Sequence, residues 1–96
     1  MEQRLYIISL YDIYGELLTP KQRECFEEYY FNNLSLSEIS ENNNVSRNAI
    51  HKQLKDCEEK LYNYEEKLNI YDKNKKIKEF SNNLDNELKE KLLNLL

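Results

Sequence analysis

Apolar side chains recur at helical spacing along almost the whole of this 96-residue chain. Near the start, Leu5, Ile8 and Tyr11 form one row and Leu10, Ile13 and Leu17 another, with Tyr6 and Tyr14 beside them. Together they make one wide apolar face, which predicts a helix over about 3–17 that ends near Gly15 to Leu18. Thr19-Pro20-Lys21-Gln22 opens the next helix. Thr19 can cap it, Pro20 sits at the first helical position where its missing N–H is harmless, and Gln22 can close a capping box. Phe26 and Tyr30 are its main apolar row, edged by Cys25 and Tyr29, and are expected to pack against a buried group of Ile39, Val45, Ile50 and Leu54. It runs to Tyr30 or Phe31, and Asn32-Asn33 stops it because Asn tolerates a left-handed helix end.

Ser35-Leu36-Ser37-Glu38 is a second capping box. It predicts a short helix with Leu36 and Ile39 inward, ended by Asn42-Asn43-Asn44. Val45 follows as an apolar plug, and Ser46 caps the longest helix. There Ile50, Leu54, Cys57, Leu61, Tyr64, Leu68 and Tyr71 form an unbroken heptad seam. A helix over 46–71 would be about 39 Å long. That exceeds what a small head can cover, so its second half needs another partner. The simplest is a second copy, with Leu61, Tyr64, Leu68 and Tyr71 as a homodimer interface. The rival arrangement lays the first helix on the seam within one chain. Asp72-Lys73-Asn74 interrupts the pattern and Ile77 and Phe80 continue it weakly. After Ser81-Asn82-Asn83, Leu84, Leu88, Leu92 and Leu95 make a last amphipathic helix. The expected fold class is all-α: a helix-turn-helix head over 1–57, with the first helix on it, and a helical extension over 58–96.

Composition removes whole classes of function. With one Gly and one Pro, an all-β fold lacks its turn residues, and no glycine-rich phosphate loop can be built. A single His, His51, and two Cys without CxxC spacing give no metal motif, no cofactor site and no catalytic constellation. Cys25 and Cys57 read as small core residues, the eight Tyr as core or interface, and Glu58-Glu59 and Glu65-Glu66 as solvated faces. No apolar run approaches the roughly 20 residues of a membrane span, and no leader opens the chain, so a cytoplasmic protein with reduced thiols is expected. The net charge of −4 is spread over all thirds of the chain. That opposes strong non-specific binding to nucleic acid.

Residues 35–57 have the spacing of a helix-turn-helix. Small Ser40 sits where the two helices cross, Asn44 supplies the positive φ of a tight turn, and Ile50 packs the second helix back on the first. The stretch also resembles the promoter-reading fourth region of bacterial sigma factors. More closely it resembles YlxM-type proteins, small bacterial regulators encoded near signal recognition particle genes. The resemblance rests on Leu18-Thr19-Pro20-Lys21-Gln22, Tyr29-Tyr30, Leu36-Ser37-Glu38-Ile39, Val45-Ser46-Arg47-Asn48-Ala49-Ile50 and Tyr64-Glu65-Glu66-Lys67-Leu68. It implies a sigma-like helical head and a role in DNA binding or in regulation linked to the signal recognition particle. Asn43 departs from the pattern, since sigma-like turns carry a larger apolar residue there.

A second helix docked in a major groove reads bases from its first turns. Arg47 can fork onto guanine and Asn48 can pair with adenine, His51 and Lys52 lie one turn on, Lys55 can reach phosphate, and Ser46 caps and can touch the backbone. DNA is the expected partner and RNA shape a further one. The alternative is a protein-interaction module of the signal recognition particle pathway that keeps the fold without reading DNA. Electrostatics separates the two: an open cationic face favours the reader, and neutralisation by Glu41, Asp56 or Glu59 favours the module.

Overall fold

Side-chain caps set where the helices begin. In the computed structural model, which describes residues 3–96, Thr19 Oγ1 accepts from Gln22 N at 3.2 Å while Gln22 Oε1 accepts from Thr19 N at 3.1 Å. The Ser35–Glu38 pair repeats that box, and Ser46 and Asp85 cap the helices after them. The order is α1 (Gln3–Tyr14), a 3-10 turn (Gly15–Leu17), α2 (Pro20–Tyr30), α3 (Leu36–Asn43), α4 (Arg47–Leu68), α5 (Ile70–Ser81) and α6 (Asn86–Leu93). The described residues are all-α. A side chain at Gly15 would press its Cβ to 3.1 Å from the Tyr11 ring, so glycine lets α1 end tightly against its own aromatic.

Among the described residues two apolar clusters make the core, with Tyr30 packed against both. One joins Ile7, Leu10, Tyr11 and Tyr14 of α1 to Phe26 of α2 and Cys57 and Leu61 of α4. The other joins Cys25, Ile39, Ile50 and Leu54. Two expectations change here. Phe26 belongs to the first cluster, stacked on Tyr11 with ring centroids 4.2 Å apart, and not against Ile50. Val45 is no plug, because it is 44% exposed. Asn44 takes the left-handed conformation, φ 54°, and Val45 N donates to Ser40 O at 3.1 Å. The turn is closed by backbone, which leaves the Val45 side chain outside. Ile50→Ala is therefore expected to cost about 2–5 kcal/mol in urea unfolding, and Val45→Ala under about 0.5 kcal/mol. A loss below about 1 kcal/mol for Ile50→Ala would place it outside a packed core.

The heptad seam finds its partner within the chain. Leu61 is fully buried in the first cluster, and Tyr64 and Tyr71 pack against that cluster. Tyr14 meets Tyr64 at 5.8 Å and Tyr6 meets Tyr71 edge-on at 5.1 Å. Of the four residues expected at a dimer interface, only Leu68 is exposed, at 46%. The rest are covered by α1, whose wide apolar face seeks the same burial. Packing on the first cluster thus continues past residue 57, through Leu61 and Tyr64 of α4 to Tyr71 of α5.

The long helix also stops earlier than 71. Asn69 adopts φ 58° and divides it into α4 and α5. A break frees the first N–H groups of α5, which need acceptors. Glu65 supplies them: Oε1 accepts from Tyr71 N at 3.0 Å and Oε2 from Asp72 N at 3.1 Å. Tyr14 Oη donates to Glu65 Oε1 at 2.6 Å and accepts from Ile70 N at 3.2 Å. Glu65 is consequently buried, not a solvated face, its charge offset by three hydrogen bonds. Burial and this carboxylate both push the Tyr14 pKa up, which keeps the phenol a donor. Glu58 likewise accepts from the Tyr30 hydroxyl, and Glu27 from that of Tyr11. Each of these tyrosines buries its ring and ties one helix to another through its hydroxyl.

Candidate nucleic-acid interface

The geometry of the α3–turn–α4 pair follows from short-range bonds. Ser40 is buried and its Oγ donates to Ser37 O at 2.7 Å, so a hydroxyl at the helix crossing is satisfied locally. Asn43, where a larger apolar residue was the norm, donates from Nδ2 to Ile39 O at 2.7 Å. It closes the end of α3 by hydrogen bonding instead of packing. Ser46 Oγ accepts from Ala49 N at 3.1 Å, which starts α4 and occupies that oxygen.

With Ile50 and Leu54 buried against Ile39, the opposite face of α4 must point outward. Arg47, Asn48, His51, Lys52 and Lys55 are all exposed. Arg47, His51 and Lys55 form a row at i, i+4 and i+8, with Asn48 and Lys52 on the row beside it. No carboxylate occurs in α4 before Asp56. Among the described residues the ion pairs are Lys76–Asp72 and Lys91–Glu87, so neither Glu41, Asp56 nor Glu59 pairs with Arg47, Lys52 or Lys55. Asp56 and Glu59 do lie exposed one turn beyond Lys52 and Lys55. Glu58 lines a shallow cleft with His51 and Lys55, but its carboxylate is engaged by Tyr30. The expected site residues are therefore brought together on one exposed surface, cationic over its first turns, with Glu58 beside His51 and Lys55 and with Asp56 and Glu59 at its far edge.

The thiols stand apart from this surface. Burial pushes the Cys25 thiol up to about 11, with Glu28 and Glu24 adding to it. It pushes the Cys57 thiol up to about 12, with Cys25 and Glu58 adding to it. Raised values suppress the thiolate, the reactive form. Iodoacetamide at pH 8 is expected to alkylate both at least about a hundredfold more slowly in the folded protein than in urea, through opening only. Rapid native labelling of either would place it outside the core.

Two capped helices joined by an Asn-closed turn, the second presenting a free polar face, define a helix-turn-helix protein. Residues 1–95 match the UPF0122 family, described as "Putative helix-turn-helix protein, YlxM / p13 like". The chain belongs to that family. It is 46% identical over 91 residues to a UPF0122 protein of Clostridium botulinum (strain Alaska E43 / Type E3), covering 95% of this chain and 84% of the relative. It is 48% identical over 88 residues to one of Malacoplasma penetrans (strain HF-2), covering 91% and 82%. A Clostridium acetobutylicum relative is 41% identical over 88 residues, covering 92% and 76%. No helix among the described residues is long and apolar enough to cross a membrane.

Proposed function

We propose that this chain is a nucleic-acid-binding regulator that sets the first turns of α4 into the major groove of duplex DNA. The observation that carries this reading is the carboxylate-free stretch from Arg47 to Lys55, whose exposed cations have no ion-pair partner among the described residues. In this reading Arg47 forks onto guanine, Asn48 pairs with adenine, His51 and Lys52 extend the contact, and Lys55 meets phosphate. Ser46 fixes the start of the helix, and the first N–H groups of α4, with no acid in its first turn, favour a nearby phosphate. The acidic whole keeps non-specific affinity low, so base contacts carry the selectivity. The protein would act in the cytoplasm without a cofactor and without catalysis. A link to the signal recognition particle pathway rests on the YlxM resemblance alone.

Selection from a random duplex pool tests the reading. An enriched motif containing guanine, relaxed at one position by Arg47→Ala, is expected. A pool that does not enrich would remove it. The second reading, a protein-interaction module that keeps the fold, is favoured by Asp56 and Glu59 at the far edge of the same face. It gains if the pool fails while the fold is intact.

A further inference from the structure

Beside the outward face of α4 runs a shallow cleft, lined by Tyr29 of α2, Leu36 of α3, and His51, Leu54, Lys55 and Glu58 of α4. Three of these side chains are apolar or aromatic, so charges in the cleft are screened less than on an open helix surface. Glu58 is half-buried, while Asp56 and Glu59 lie exposed outside the cleft. Glu58 follows Lys55 by three residues, and side chains at that spacing on a helix are neighbours. A bond between them would spend the Lys55 cation on its own helix. That pair is absent from the ion pairs of the described residues.

What engages the Glu58 carboxylate stands in α2, where the Tyr30 hydroxyl donates to it. A hydrogen bond to an ionised acceptor is among the stronger ones. The ring that carries the hydroxyl is fixed from several sides. Phe26 stacks on it with ring centroids 4.4 Å apart, and Tyr29 meets it edge-on at 5.0 Å. The Arg4 guanidinium lies 5.0 Å from its centroid, anchored by donating to Tyr30 O at 2.8 Å and to Asn33 Oδ1 at 3.0 Å. Because Tyr30 packs against both core clusters, the core sets where its hydroxyl stands. Burial, and then Glu58, push the phenol pKa well up, so it remains a donor at neutral pH. Tyr11 and Tyr14 make similar bonds to Glu27 and Glu65. Of the three carboxylates, Glu58 is the one that shares a cleft with residues of the candidate reading face.

We propose that Tyr30 is a positioning residue for the α4 face: it holds the Glu58 carboxylate toward α2 and so leaves the Lys55 ammonium to a phosphate of bound nucleic acid. The proposal rests on the reading of α4 given above. A tie between helices alone would need an acceptor at position 58 but would not depend on its charge.

The test is a double-mutant cycle on the full chain, Tyr30→Phe against Glu58→Gln, read by anisotropy with the selected duplex over a salt series. Phe keeps the ring and its packing. Gln keeps an oxygen for the Tyr30 hydroxyl and removes the charge. Tyr30→Phe should weaken binding about threefold or more and shrink the salt slope by about one, the loss of one phosphate contact. Adding Glu58→Gln should restore both. In the parent background Glu58→Gln should change affinity less than about twofold, because the carboxylate is already held away. This variant leaves the core untouched and carries the test by itself if Phe loosens the fold. A gain of about threefold or more there would mean that Glu58 already draws on Lys55, and would overturn the proposal. Carbodiimide coupling followed by peptide mapping gives a reading without nucleic acid: Lys55 and Glu58 should be joined in Tyr30→Phe and not in the parent. No coupling in Tyr30→Phe, or equal gains from Glu58→Gln in both backgrounds, overturns the proposal and leaves the reading of α4 standing. A parent that binds no duplex overturns that reading and this proposal with it.

Discussion

Leu61→Asp is expected to unfold this protein. Leu61 is 0% exposed and lies in the cluster that joins α1 to α4. The substitution removes an apolar side chain and buries a carboxylate with no cation beside it, a combination that costs more than about 4 kcal/mol. A domain of this size has roughly 5–15 kcal/mol in all. Leu68→Asp, one heptad on in the same seam, should cost under about 1 kcal/mol because Leu68 is 46% exposed and lies outside both core clusters. Urea unfolding followed by far-UV circular dichroism measures both. The pair also decides what the seam is for. If a second copy covered it, both substitutions would split a dimer and spare the helices. Two similar, mild losses, together with a fall in mass by sedimentation equilibrium, would restore the seam as an interface between copies.

Arg47→Glu combined with Lys52→Glu should abolish duplex binding and leave the melting temperature within about 2 °C of the parent. Both side chains are exposed, neither has an ion-pair partner among the described residues, and neither belongs to the core clusters. Their loss therefore costs the fold little. For binding the change is large, since two cations facing a polyanion become two anions on a chain already at −4. Anisotropy against the selected duplex at several salt concentrations gives the reading. Affinity should fall beyond detection for the double variant. For the neutral pair Arg47→Gln with Lys52→Gln, the slope of log affinity on log salt should shrink by as much as about two if both cations meet phosphate, and by less if Arg47 meets a base. Unchanged affinity in the charge-reversed protein would exclude this face as the reader.

The helix starts were legible because a cap is a local device. Thr19 with Gln22, Ser35 with Glu38, and Ser46 with the N–H of Ala49 all act across three residues, so their spacing in the chain is their spacing in space. The same holds for Asn44, whose left-handed backbone sets the turn. The candidate readers were legible for a related reason. Once Ile50 and Leu54 are assigned inward, helical geometry turns Asn48, His51, Lys52 and Lys55 away from the core, whereas Arg47, three residues before Ile50, shares its face and is exposed as the first residue of α4. Val45 shows the limit of such reasoning: apolar character said it should be inside, and a turn closed by backbone left it out.

The sequence by itself determined the all-α class, the caps, the helix-turn-helix and the face it exposes, since each depends on residues within a turn or two of one another. What covers the heptad seam was decided only by tertiary structure. Periodicity marks a face as apolar but does not name its occupant, and α1 and a second copy would satisfy the same pattern. Glu65 is the clearest case. Beside Glu66 on a polar helix it reads as solvated, yet its partner Tyr14 stands 51 residues away and the N–H groups it accepts exist only because the chain breaks at Asn69. Lys75, Lys78 and Lys89, which line one groove with Asp12 and Glu79 between α1, α5 and α6, share that origin. They are ordinary charges in the sequence, and they converge only because α5 folds back beside α1 and α6 closes over the end of it.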